Sequence, residues 1–185
     1  MTITTSPAAP GLARPRYSAP ARALHWLIAI GVVAALCIEL TFDDLPLSPH
    51  KIRLINYHKW VGLTVLFLWF ARVAWRIGHR PPALPATMST FQQRAAHGIH
   101  GLLYLLLVAV PIAGWFLSSA RGFPLTYLGL VPLPDLTAKD KAAAELLHNV
   151  HAVLAWSLLA LAAAHAVAAL KHHFVDRDDV LRRML

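Results

Sequence analysis

Four long apolar stretches, close to residues 23–41, 58–77, 95–119 and 148–170, constrain this chain more than any other feature. Each is long enough to cross a hydrocarbon layer about 30 Å thick as a helix rising about 1.5 Å per residue. Backbone inside that layer has no water to bond, so its N–H and C=O groups must pair within the segment, which selects α-helix. Short connections make consecutive helices antiparallel neighbours. The expected fold class is therefore all-α, an integral membrane antiparallel four-helix bundle. Composition agrees, because 57% of the 185 residues are apolar and only 14% are charged, too apolar a balance for a soluble domain of this size.

Punctuation along the chain fits the same plan. Pro46 and Pro49 mark the first connection, Arg80-Pro81-Pro82 and Pro85 the second, and Pro124, Pro132 and Pro134 the third. Pro111, followed by Gly114, falls inside the third apolar stretch, where a kink is expected. Residues 1–18 are rich in Pro, Ala, Ser and Thr and read as a disordered cytoplasmic tail ahead of a single domain, 19–185. No small-residue cleavage pattern follows the first apolar stretch, which reads as a retained helix. Cys37 is the single cysteine, so neither a disulfide framework nor a thiolate metal site can form, and packing accounts for it.

Charge sets the orientation. The N-terminal tail, second connection and C-terminal tail hold 11 of the 17 Lys and Arg residues against three acids, whereas the first and third connections with their helix ends hold six of each sign. The positive-inside rule then places both termini in the cytoplasm. The formal charge of +8 is largely this topology signal. The basic residues are too scattered for a nucleic-acid surface.

Histidines occupy this frame in depth-matched pairs. His151 and His165 lie 14 residues apart on the fourth stretch, a rotation about 40° short of four full turns and a rise of about 21 Å, so both face one way near opposite membrane edges. His25 starts the first helix at the inner edge and His58 starts the second at the outer edge. His25 thus matches His165 in depth, and His58 matches His151. Two neutral imidazoles on opposite faces of a porphyrin are the usual axial ligands of a low-spin b-type haem, which transfers electrons because neither axial position is open. The expected metal ligands are His25, His58, His151 and His165, holding two haem b groups. Each histidine taken alone also admits an interhelical hydrogen bond or a proton relay, and a haem-free transporter or proton channel is the corresponding alternative.

The remaining polar residues carry smaller expectations. His148 competes with His151 but is turned about 100° from the face shared with His165. His97 and His100 are expected to bond a propionate, a quinone or neighbouring helices, while His50, His79, His172 and His173 read as solvated or snorkelling. Gly62, Gly98 and Gly101 can admit a porphyrin edge, although close helix packing is the commoner role of such glycines. Arg22, Arg72 and Arg76 at the inner edge and Lys59 and Arg121 at the outer edge are placed to neutralise haem propionates; interfacial anchoring explains any one of them equally well. Trp26, Trp60, Trp75 and Trp115 fit the aromatic belts, whereas Trp69 and Trp156 are expected to pack inside.

Four segments together resemble the bacterial cytochrome b561 family: Arg22-Ala23-Leu24-His25-Trp26, Tyr57-His58-Lys59 with Gly62, His97-Gly98-Ile99-His100 with Tyr104, and the run from His165 through Lys171-His172-His173-Phe174 to Asp176-Arg177-Asp178-Asp179. The resemblance covers nearly the whole chain after the tail. It implies a di-haem b cytochrome of the bacterial cytoplasmic (inner) membrane, with ligands on the same four histidines and ubiquinone as an exchangeable electron partner. In one branch it implies oxidation of superoxide to dioxygen at the outer face, and there Lys59 and Arg121, with Lys139 or Lys141, would draw in the anion. A cytochrome b subunit serving a partner dehydrogenase or hydrogenase is the alternative within electron transfer; short connections leave it little docking surface. Monomer and homo-oligomer are both compatible with the sequence.

Overall fold

The computed structural model describes residues 16–83 and 88–185. Most of the expected 1–18 tail, and residues 84–87 of the second connection, lie outside the described residues. Four helices make up nearly all of the rest: α1 (Ala19–Phe42), α2 (Pro49–Gly78), α3 (Thr90–Ala120) and α4 (Lys141–Phe174). All four are long and apolar enough to cross a membrane, and the architecture is an antiparallel membrane bundle. A two-residue hairpin, β1 (Thr126–Tyr127) against β2 (Val131–Pro132), sits in the third connection, and a 3-10 turn, Leu181–Met184, ends the chain.

Each of α2, α3 and α4 extends beyond its apolar stretch because a cap starts it early. Ser48 accepts from the Lys51 N–H with Pro49 in the first turn, Ser89 and Gln92 form a reciprocal capping box, and Asp140 accepts from the Ala143 N–H. These side chains satisfy N–H groups that a helix start leaves without partners. The helices therefore project past the hydrocarbon layer. Pro111 lies within α3, whose helical backbone continues through it to Ala120.

The bundle divides into two helical hairpins. α1 packs along α2 and α3 along α4, α2 and α3 join the pairs less extensively, and α4 stands off from both α1 and α2. The closest approach within the first pair is at Gly31, where an added Cβ would lie 2.6 Å from Val65 Cγ2. At the end carrying the first and third connections, here the connection end, Leu125 packs between Leu63 and Leu66 of α2. Trp60 Nε1 donates to the Thr126 carbonyl at 2.7 Å, and Thr64 Oγ1 and the Tyr127 hydroxyl share a 2.9 Å bond. The third connection is thus a fitted cap over the helix ends. Gly129, with φ 72°, supplies its tight turn.

The segment that leads into α1 meets the C-terminal residues at the opposite, terminal end. Trp26 Nε1 donates to the Met184 carbonyl at 2.9 Å, the Tyr17 N–H donates to the Arg183 carbonyl at 3.2 Å, and Arg22 donates to the Leu185 carbonyl. His172 Nδ1 lies 2.6 Å from Asp178 and Lys171 Nζ 2.7 Å from Asp176, turning the chain back after α4. His172 is therefore paired and partly buried, where a solvated side chain was expected.

Trp69 packs edge-on against Phe70 and Tyr104, as an inward residue should. Trp156 does not follow its expectation and is 58% exposed. It lies five residues beyond His151, about 140° away from the face that α4 turns inward, and so presents its indole to lipid.

Val at Gly31 should force the stiff, branched Val65 aside and loosen the α1–α2 contact, costing about 1–3 kcal/mol of stability. Denaturant unfolding of the detergent-solubilised Gly31→Val chain beside wild type measures this; an unchanged midpoint would mean that α1 and α2 do not depend on that approach.

Candidate functional site

Two pairs of imidazoles bridge the space between the helical hairpins. At the terminal end, His25 of α1 faces His165 of α4 with ring centroids 6.2 Å apart and ring planes at 76°. At the connection end, His58 of α2 faces His151 of α4, again 6.2 Å apart, with planes at 78°. His148, one turn earlier, is exposed and lines a separate surface pocket with Arg121 and Glu145.

This spacing matches what a shared metal would require. An imidazole nitrogen binds a first-row metal at about 2 Å and lies roughly another ångström from its own ring centre, so two trans ligands on one metal need centroids about 6 Å apart. Both pairs meet that requirement. His100 also approaches His165, but at 5.1 Å between centroids, too short for two rings in trans positions. His100 is thus a neighbour of the terminal-end pair, and His25 is its opposing member.

At the connection end the protein also fixes which nitrogen is free. His58 Nδ1 lies 3.0 Å from the Ala35 carbonyl oxygen and His151 Nδ1 lies 2.9 Å from that of Val110. A carbonyl only accepts, so each Nδ1 carries the proton and donates, leaving the Nε2 lone pair for a metal. The Val110 carbonyl sits next to Pro111. Gly114, one turn further on, clears the ring itself, since an added Cβ would meet His151 Cε1 at 3.0 Å and Nδ1 at 3.2 Å. By contrast, a Cβ on Gly62, Gly98 or Gly101 meets no other atom within 4 Å. Those three thus face open space and are not sites of close helix packing.

Charged side chains flank both pairs. Arg72 donates from Nε to the Tyr104 hydroxyl at 3.0 Å and from its terminal nitrogen to the Ala21 carbonyl at 2.6 Å, within electrostatic reach of His25 and His165. Arg22 bonds the Leu185 carbonyl, and its Nε, like Trp69 Nε1, is buried without a protein partner. At the connection end, Lys59 Nζ lies 3.4 Å from the Phe123 carbonyl and 5.8 Å from the Phe123 ring centre. Arg121 ends α3 within electrostatic reach of Lys59 and His151. Glu39 is a residue that sequence reasoning passed over. Its carboxylate approaches His58 Nδ1 to 3.4 Å, and the signal was available as the lone acid inside the first apolar stretch.

The donor set is chemically coherent. Neutral imidazoles facing across an apolar slot, with arginines and buried N–H donors nearby, suit a planar porphyrin carrying two carboxylates, whereas a small hydrated cation would demand oxygen ligands.

The fold and the facing imidazole pairs are those expected of a membrane-embedded cytochrome of the b type. A family model described as "Prokaryotic cytochrome b561" matches residues 16–185. "Cytochrome b561 homolog 2" of Escherichia coli (strain K12) is 36% identical over 173 residues, covering 92% of this chain and 91% of the relative. "Cytochrome b561 homolog 1" of the same organism is 30% identical over 173 residues, with 92% and 97% covered. "Probable superoxide oxidase CybB" of Yersinia pestis is 30% identical over 172 residues, with 92% and 96% covered. The chain belongs to the prokaryotic cytochrome b561 family, a family of b-haem membrane electron-transfer proteins.

Gly114→Val should displace the His151 ring, because the branched side chain has no space to occupy. The purified variant should lose bound haem b relative to wild type in a pyridine haemochrome assay. Gly78→Ala, whose added Cβ meets nothing within 4 Å, should retain it. Equal content in all three proteins would show that the ring does not need the clearance.

Proposed function

We propose that this protein is a di-haem b cytochrome of the bacterial cytoplasmic membrane that takes electrons from superoxide at its outer, connection end and delivers them to ubiquinone. The observation carrying this reading is the repetition of one ligand geometry at both ends of the bundle. Each histidine pair has centroids 6.2 Å apart, and α4 contributes one member to each. His25 and His165 hold the cytoplasmic-side group, and His58 and His151 the outer one. When bound, a haem held by each pair would supply a one-electron couple.

The chain's own residues supply the rest. Ala35 and Val110 orient the outer imidazoles through their carbonyls. Arg72 and the Nε of Arg22, which has no partner among the described residues, neutralise propionate charge at the terminal end through charge-assisted bonds. Lys59 and Arg121 draw a small anion toward the outer pair. Each superoxide gives up one electron and leaves as dioxygen; two such electrons with two protons convert one ubiquinone to ubiquinol. Superoxide is favoured as donor by the 30% identity to the probable superoxide oxidase of Yersinia pestis and by Lys59 and Arg121 at the end that carries His151. Cytoplasmic placement of the terminal end follows from its excess of Lys and Arg.

A fully loaded preparation should contain two haem b groups per chain. His151→Ala should lose the outer low-spin signal and His165→Ala the inner one, whereas His148→Ala should leave both. A haem-free protein would return the reading to a transporter or proton channel, and loss of a haem in His148→Ala with retention in His151→Ala would reverse the assignment on α4.

Arg121→Gln should slow reduction by superoxide severalfold at low salt without altering the low-spin spectrum. The difference should shrink as ionic strength rises from about 10 to 150 mM and the screening length falls from about 30 to 8 Å. Stopped-flow rates with added ubiquinone provide the test. Rates insensitive both to salt and to the substitution would remove electrostatic capture and shift the donor to a quinol or a partner protein.

A further inference from the structure

A cavity of about 410 Å³ at the terminal end adjoins the His25–His165 pair through Arg72 and is otherwise lined by residues that the electron path proposed above does not use. Its volume falls within the range of small-molecule sites, about 300–1,000 Å³. Four of its lining residues are arginines: Arg16 ahead of α1, Arg72 and Arg76 on α2, and Arg80 just beyond it. Arg72 and Arg76 are four residues apart on one side of α2, and Arg80 follows the extended C-cap residue His79. None of the lining residues is acidic. Among the described residues, none of these four arginines has a carboxylate within 4.0 Å.

Helix-end electrostatics explains only part of this. A basic residue in the last turn complements the negative end of a helix dipole, and Arg76 is the one basic residue in the last turn of α2. It explains neither why Arg16 comes from another segment to the same cavity nor why the wall is aromatic. Arg76 lies 5.5 Å over the Tyr104 ring, and Trp75 Nε1 donates to Ser18 Oγ at 2.9 Å, so the cavity has a built apolar side as well as a cationic one. Arg72 spends two donors on Tyr104 and Ala21 and is committed toward the histidines. Arg16 and Arg80 are exposed and make no side-chain hydrogen bond among those described, so their guanidinium forks are available.

We infer that this cavity binds the phosphate group of an anionic phospholipid headgroup. Guanidinium forks match phosphate oxygens in a bidentate geometry. The site combines interfacial Trp and Tyr residues with arginines at the end of a spanning helix, the depth at which headgroups lie. The aromatic and aliphatic wall suits the glycerol and upper acyl carbons of a lipid, which a free phosphate ion lacks. The occupant seals the junction of the N-terminal segment with the end of α2.

The test uses the purified full-length, haem-loaded chain in mixed micelles with phosphatidylglycerol or phosphatidylcholine, counting retained lipids by native mass spectrometry. Wild type should retain phosphatidylglycerol in preference to phosphatidylcholine, with affinity falling as salt rises. The double variant Arg16→Gln/Arg80→Gln should bind phosphatidylglycerol about thirtyfold more weakly, as loss of two surface arginines implies, while its haem content and low-spin spectrum stay at wild-type values. Arg80→Lys, which keeps the charge and loses the fork, should fall between. Equal retention of the two lipids, or retention unaffected by the double variant, would overturn the inference. Displacement of phosphatidylglycerol by millimolar inorganic phosphate would overturn the lipid assignment, and loss of haem in the double variant would make the arginines part of the haem site.

Discussion

Two imidazole pairs, each with ring centres 6.2 Å apart across the space between two helical hairpins, are the constraint on which this structure turns. Apolar burial cannot hold spanning helices together, because lipid is as apolar as a leucine side chain. The bundle instead has close contacts where small residues permit them, at Gly31 against Val65, and a wider separation where α4 faces α1 and α2. Histidines reach across that separation. Since α4 supplies one ring to each pair, its 14-residue interval fixes the distance between the two sites, about 21 Å along the helix. A one-residue change in that interval would rotate one imidazole by about 100° and unpair it.

The two ends are built differently around this common geometry. At the connection end, the carbonyls of Ala35 and Val110 hold both Nδ1–H groups, Gly114 clears the His151 ring, and the third connection is tied to α2 through Trp60 and Tyr127. Orientation there comes from backbone groups that a side-chain substitution cannot remove directly. At the terminal end, His25 and His165 share their space with His100 and Arg72, and orientation depends on neighbouring side chains. The contrast agrees with the caps. The connection end has an ordered hairpin, whereas the terminal end is closed by contacts between the segment that leads into α1 and the C-terminal residues.

Much of this was legible before any coordinates. Helix number, antiparallel order and the depth of each histidine follow from apolar length and the 3.6-residue period, which a membrane enforces strictly because spanning backbone must satisfy itself. The choice of His151 over His148 also rests on that period, and it is the His151 ring that faces His58. What escaped was tertiary. The direction of Trp156 followed from the inward face of α4 only once that face was fixed. The hairpin at 126–132 lay inside a proline-rich connection whose short strands carry no strong pattern. Glu39 stood in plain view as an acid in an apolar stretch, but its approach to His58 depends on how closely α1 and α2 pack. The roles of Gly62 and Gly114 illustrate the same limit, since composition gives two glycines and only coordinates show which one touches a ring.

Charge gives the bundle a direction. Glu39 lies beside the connection-end pair, and the arginines of α2 gather toward the terminal-end pair. In a low-dielectric interior, a charge feels such neighbours far more strongly than it would in water. At the connection end Lys59 and Arg121 offset that carboxylate, and at the terminal end Arg72 stands within reach of His25, so both pairs lie near positive charge. The same arginines obey the positive-inside rule, which sets how the chain inserts. The residues that set topology thus also supply the positive charge around the terminal-end pair. Moving those arginines to the connections to invert the bundle would therefore also strip the terminal-end pair of its neighbouring positive charge.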